Sequence, residues 1–198
     1  MRFVTSLLAL HTVLVAVTAA SAQDLTLVRD GKSDYVIVRP TKSSPSQVYA
    51  SEELQAFTKQ LTGATLPIVT DEGELPAKAV LLGTTRHTVE LIGHTDPKTL
   101  GDDGFRIASK GPHLLIVGSA VRGTLYGVYE LLECYGSCRW YARFFSHIPE
   151  KKTWTVPAVD RTETPAFIMR EPYWFDMFDG NFAARSRSNG SRPNLKDK

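Results

Sequence analysis

The stretch Gly104–Gly118, GFRIASKGPHLLIVG, constrains the fold most tightly. Two strand-forming runs, Gly104 to Ser109 and His113 to Gly118, flank the turn Lys110, Gly111 and Pro112, so they must pair antiparallel as a hairpin. The second run passes through Ser119 and Ala120 into a helix. There Val121, Leu125, Val128, Leu132 and Tyr135 recur at alternating spacings of four and three, and Gly136 ends the pattern. Gly123 and Gly127 each cost such a helix about 1 kcal/mol relative to alanine, which points to close packing of helix on sheet. The run from Gly118 to Gly123 lacks the Gly-Lys-Ser/Thr ending that grips phosphate, so it is not read as a nucleotide loop.

Upstream, Tyr35 to Arg39 has strand composition. A helix follows, because Ser44 can cap it, Pro45 suits its first position, Gln47 completes a capping box and Gly63 supplies a left-handed stop. Ala50, Leu54, Phe57 and Leu61 form its buried stripe. Leu66 to Thr70 and Ala79 to Gly83 are further strands, joined by an acidic loop with Asp71, Glu72 and Glu74, expected to be merely solvated. Cys138 to Ala142 and Thr153 to Val156 complete the set. This alternation predicts an α+β fold: a two-layer sandwich with a mixed, mostly antiparallel sheet and two helices packed on one face.

The first residues bracket this unit. Arg2, the apolar run Leu7 to Val17 and small residues at Ala20 and Ala22 read as a cleavable signal peptide over 1–22, which predicts a secreted or periplasmic protein with no membrane span after cleavage. Residues 23–157 form the α+β domain, and 158–184 a linker, polar from Pro157 to Pro165, with the start of a second unit. Residues 185–198 form a basic tail, expected to be disordered. The net charge of +2 favours neither nucleic acid nor a membrane surface as partner.

The chemistry-bearing residues gather beyond Pro165. Sugars present apolar faces ringed by hydroxyls, and sugar sites combine aromatic platforms with carboxylates and arginines. Arg170, Trp174, Asp176, Asp179 and Arg185, with Glu171 and Tyr173 among them, are therefore the candidate substrate-binding set. The alternative is that Trp174, Phe175, Phe178 and Phe182 are packing residues at a domain junction. Cys134 and Cys138 are either a disulfide across the helix end or two half-buried thiols, and the spacing leaves both open. No histidine lies near enough to complete a zinc site, and no metal or other cofactor is expected. His87, His94, His113 and His147 are scattered without a nucleophile, so no catalytic triad is read. Asn189, Gly190 and Ser191 form a glycosylation sequon.

With GFRI, HLLIVG, the helix start RGTLYGVYELLE and then GSCRWY leading to Ile148 and Pro149, the segment from Asp103 to Pro149 resembles the N-terminal domain of α-glucuronidases and related exported glycoside hydrolases. It is also similar to the non-catalytic second domain of β-hexosaminidases. The resemblance extends from about Tyr35 to Pro157, and more loosely to Asn189. It implies an accessory domain ahead of a (β/α) barrel that holds the catalytic carboxylates, and Arg170 to Asn189 is similar to the start of such a barrel. A barrel takes about 250 residues, so on this resemblance the catalytic acids lie beyond Lys198 and no catalytic residue is assigned here. The expected function is that of the non-catalytic N-terminal domain of a secreted, α-glucuronidase-like hydrolase of O-glycosyl bonds in polysaccharide. Its partners would be a barrel in cis and carbohydrate. The competing expectation is a stand-alone carbohydrate-binding or surface interaction module.

Overall fold

The computed structural model describes residues 23–95 and 97–189. The expected leader and residues 190–198 of the basic tail therefore lie outside the described residues.

Strands β1 (Leu25–Val28) and β2 (Val36–Arg39) lead into helix α1 (Pro45–Thr62). The Ser44 hydroxyl accepts from the Gln47 amide, the Gln47 side chain accepts from the Ser44 amide at 3.0 Å, and Gly63 closes the helix at φ 82°. Ala50, Leu54, Phe57 and Leu61 are all buried, as the periodicity requires. Then come β3 (Ile68–Thr70), β4 (Ala79–Leu82), the short helices α2 (Arg86–Ile92) and α3 (Pro97–Leu100), the hairpin β5 (Phe105–Lys110) and β6 (His113–Gly118), and helix α4 (Gly123–Cys134). Strands β7 (Arg139–Ala142), β8 (Phe145–His147), β9 (Trp154–Val156) and β10 (Asp160–Glu163) follow, with a 3-10 turn at Phe175–Phe178 and helix α5 (Gly180–Arg185) at the end.

Six strands form one mixed sheet in the order β10-β5-β6-β4-β2-β3. β5 and β6 are antiparallel from Phe105 opposite Gly118 to Lys110 opposite His113, as the turn dictates. The expected antiparallel majority is corrected, because β6–β4, β4–β2 and β2–β3 are all parallel. Strand composition carries no direction, whereas a crossover such as α1 between β2 and β3 returns the chain to the same end of the sheet.

The two-layer description needs a second correction. Helices α1 and α4 do share one face, burying Ile37, Val80, Leu82, Ile107, Leu114 and Ile116. On the opposite face Val38, Ala79, Leu81, Leu115 and Val117 form a second cluster, against which Leu91 and Ile92 of α2 pack. Cover on both faces explains why β4 and β6 are continuous apolar runs rather than alternating ones. The close packing expected at α4 is present. A Cβ at Gly127 would stand 2.5 Å from Ile116 Cγ2, and one at Gly123 would run into the backbone carbonyl of Gly104.

The polar stretch 157–165 carries β10, which pairs antiparallel with β5 and forms the sheet edge. Arg106 grips Asp160 there through two hydrogen bonds of 2.7 and 2.8 Å. The acidic loop is also more than solvated: Asp71 accepts from the Thr41 amide and hydroxyl and from the Arg86 amide, tying β3 to the start of α2.

Candidate functional site

Beyond β10 the chain folds back over the helical face of the domain, and arginines fasten it there. Arg170 donates to Asp103 at 2.9 Å and to the carbonyl oxygens of Arg187 and Phe167, with its guanidinium 5.8 Å from the centre of the Tyr126 ring. Asp103 is itself buried and also receives Arg122 Nε at 2.5 Å and Asn189 Nδ2 at 2.6 Å. Burial would raise its carboxyl pKa, but the hydrogen bonds from Arg122 and Arg170 outweigh burial and hold it below the ordinary aspartate range.

Two further clamps sit along α1 and α4. Arg185 donates to both oxygens of the buried Glu53 at 3.1 and 3.2 Å and lies 5.0 Å over the Phe57 ring, while Tyr129 donates to the same carboxylate at 2.9 Å. Burial, reinforced by that carboxylate, pushes the Tyr129 phenol well above its usual value. Arg187 bridges Glu130 at 2.7 Å and Glu133 at 2.5 Å, and Arg161 joins Glu130 from the other side. Here too desolvation raises the Glu130 carboxyl, but the bond from Cys134 and the two arginines bring it below the usual range.

Between the clamps lies a small second core. Met177, Phe182 and Ala183 are buried together against Trp140, whose ring makes edge contacts with Phe57 and Tyr129 at 5.3 and 5.4 Å. Outside this core stand exposed rings: Tyr141 stacks on Phe145, and Arg143 lies 5.9 Å from the Phe144 ring and 5.1 Å from the Phe175 ring. Two cavities of small-ligand size open on the domain. One of about 320 Å³ is lined by Asp103, Phe105, Tyr126, Glu130, Arg170 and Arg187. The other, of about 360 Å³, opens at the carboxyl ends of β2, β4 and β6 beside Lys42, Gln47, Thr84 and Ser119. Among the described residues no group of three or more His, Cys, Asp or Glu side chains could hold a metal ion.

Residues 19–131 match the family model for the glycosyl hydrolase family 67 N-terminus. The chain belongs to this family. Of the curated relatives, a probable α-glucuronidase A from Aspergillus terreus is 31% identical over 101 residues, half of this chain and 12% of that protein. The α-glucuronidase of Hypocrea jecorina is 27% identical over 117 residues, 58% of this chain and 14% of that protein. The chain thus spans about an eighth of these relatives. Among solved structures, a family GH115 4-O-methyl-α-glucuronidase with specificity for decorated arabinogalactans shares the fold, with a TM-score of 0.54 at 21% identity over 73% of this chain and 19% of that one. The N-acetyl-β-hexosaminidase of Streptomyces plicatus aligns with a TM-score of 0.49 at 18% identity, over 75% of this chain and 25% of that one.

Of the five residues singled out for sugar binding, all C-terminal to the matched range, Arg170 lines the cavity of about 320 Å³, and each makes local contacts. Arg170 and Arg185 are spent on Asp103 and Glu53. Asp179 caps α5, accepting from the amides of Asn181 and Phe182 at 3.0 and 2.9 Å. Asp176 faces Arg143 at 3.8 Å, and the half-exposed Trp174 lies tilted against Phe182. The cysteines are unbridged. Cys134 ends α4 on the surface and donates to Glu130, while Cys138 is buried below the helix end, and burial pushes its thiol up to about 11. Of the basic tail, Arg185, Arg187, Ser188 and Asn189 are all hydrogen-bonded to the domain or to its returning segment. The anchoring carboxylates Asp103, Glu53 and Glu130 were not singled out from sequence. Glu53 carried one signal, an acid three residues from Ala50 and four from Phe57 on the buried side of α1.

Proposed function

We propose that this chain is the non-catalytic N-terminal domain of a secreted α-glucuronidase-type glycoside hydrolase, which supports a separate catalytic body that acts on polysaccharide. The family match carries the reading, and the use of the local acids agrees with it. Hydrolysis of a glycosidic bond requires a proton donor and a second carboxylate across a substrate cleft. Asp103 and Glu130 face arginines that keep them ionised, which unsuits them as proton donors near neutral pH. Asp179 is committed to a helix cap, and Glu53 is buried beneath Arg185 and Tyr129.

The test has two arms. Purified from residue Gln23 onward, the folded chain is expected to leave aryl α-glucuronides and glucuronoxylan intact, whereas the tagged chain recovered from the organism that makes it is expected to bring α-glucuronidase activity with it. Hydrolysis by the purified chain, or tagged material devoid of that activity, overturns the proposal.

A further inference from the structure

The geometry points to the exposed aromatic surface built by β7, β8 and the 3-10 turn as the docking face for the catalytic body, whether that body is joined to this chain or separate. The inference rests on the accessory-domain reading above. Phe144 is 81% exposed, Phe175 71%, Phe145 59%, Tyr141 55% and Trp174 52%. The rings fall into contacting sets on neighbouring segments. Arg143 links Phe144 to Phe175 through cation–π contacts, Asp176 holds Arg143 in place, and Tyr141 stacks on Phe145.

A soluble monomer rarely leaves a connected apolar patch of more than a few hundred Å² bare. The composition here, aromatic rings around one arginine, is that of protein interface hot spots. Neither of the two cavities described above is lined by these rings. Next to them, Met177, Phe182 and Ala183 are buried together against Trp140.

The size of the relatives identifies the occupant. The matched unit is a family N-terminus and accounts for 12% and 14% of two α-glucuronidases, so in them a far larger body accompanies it. The patch uses residues just C-terminal to the matched range 19–131.

The experiment places the photo-crosslinker p-benzoylphenylalanine at position 144 or 175, with position 110 in the β5–β6 turn as control, in the full chain made by its own producing organism. Crosslinks from 144 and 175, and not from 110, to a glycoside hydrolase catalytic body are expected on mass spectrometric mapping. Phe144→Ser together with Phe175→Ser is expected to lower retained α-glucuronidase activity about 10-fold or more, with an unchanged melting temperature because both rings are exposed. Crosslinks only to a second copy of this chain, only to glycan, or to nothing overturn the inference. If activity is retained while both positions remain uncrosslinked, the surface is wrong and the accessory-domain reading stands. If no activity is retained, both fall.

Discussion

Arg170 and Asp103 lie 67 residues apart in the chain and meet at 2.9 Å, and the same carboxylate receives Arg122 and Asn189. One buried acid thereby joins the start of α4 to both ends of the returning segment, 170 and 189. Asp103→Asn keeps the shape and removes the charge, leaving Arg122 and Arg170 without their partner. Removing one member of a buried pair costs about 3 kcal/mol or more, so a lower melting temperature is expected. Hydrogen exchange should locate the change, with the amides of 170–189 exchanging faster and those of β4 and β6 unaltered. Uniform acceleration across the sheet would contradict a local clamp.

The same clamps set a pH dependence. Asp103 and Glu130 have folded-state pKa values below their unfolded ones, so the unfolded chain binds protons first on acidification. Their stabilisation is complete above the unfolded values of about 3.9 and 4.3 and is lost as pH falls through the lower folded values. Urea midpoints should therefore be flat from about pH 6 to 8 and fall below about pH 4. In the Asp103→Asn, Glu130→Gln double variant the midpoint should start lower and decline less on acidification. An identical decline in variant and parent would assign the acid sensitivity elsewhere, with Asp71 and Asp160 the next carboxylates to examine, since both are also held low.

Which features were legible in the sequence follows from how local their causes are. The α1 cap at Ser44 and Gln47, the stop at Gly63 and the β5–β6 turn are decided by residues within a few positions, and each stands as expected. Strand direction depends on connections rather than composition, so the parallel pairs of β2, β3 and β4 were not legible. Helix α2 is seven residues long and starts on the Thr85 cap, too short for a periodic signal. Strand β10 is polar in side chains and is held through its backbone by β5. At the candidate site, Arg170 and Arg185 were visible as functional residue types, but their partners Asp103 and Glu53 lie 67 and 132 positions away. Spacing arguments do not reach across such separations.

The two thiols should differ in reactivity. Cys134 is exposed, though partial desolvation and the Glu130 carboxylate raise its thiol, and Cys138 is buried with its thiol pushed up to about 11. Only the thiolate attacks an alkylating reagent. Iodoacetamide at pH 8 should therefore modify Cys134 slowly and Cys138 hardly at all in the folded chain, and both in urea. Intact mass should be the same with and without reductant. A gain of about two mass units on reduction, one hydrogen per sulfur, would reveal a disulfide and reverse the assignment.

Helix α4 offers a substitution whose sign opposes the propensity scale. Gly123→Ala in an open helix would gain about 1 kcal/mol. Here the added Cβ would meet the carbonyl of Gly104, and Gly118 is packed just as tightly against the Gly123 backbone from the other side. Both obstructions are main chain, so no side chain can turn aside, and the helix start must lift from the sheet. Overpacking of this kind costs about 1–3 kcal/mol, and the displacement also draws Arg122 away from Asp103. A net loss of about 1–2 kcal/mol in urea denaturation is expected. Gly73→Ala, with nothing within 4 Å of its Cβ, serves as the control and should leave stability nearly unchanged. Stabilisation by Gly123→Ala would mean that α4 does not sit against Gly104 and Gly118 as closely as described.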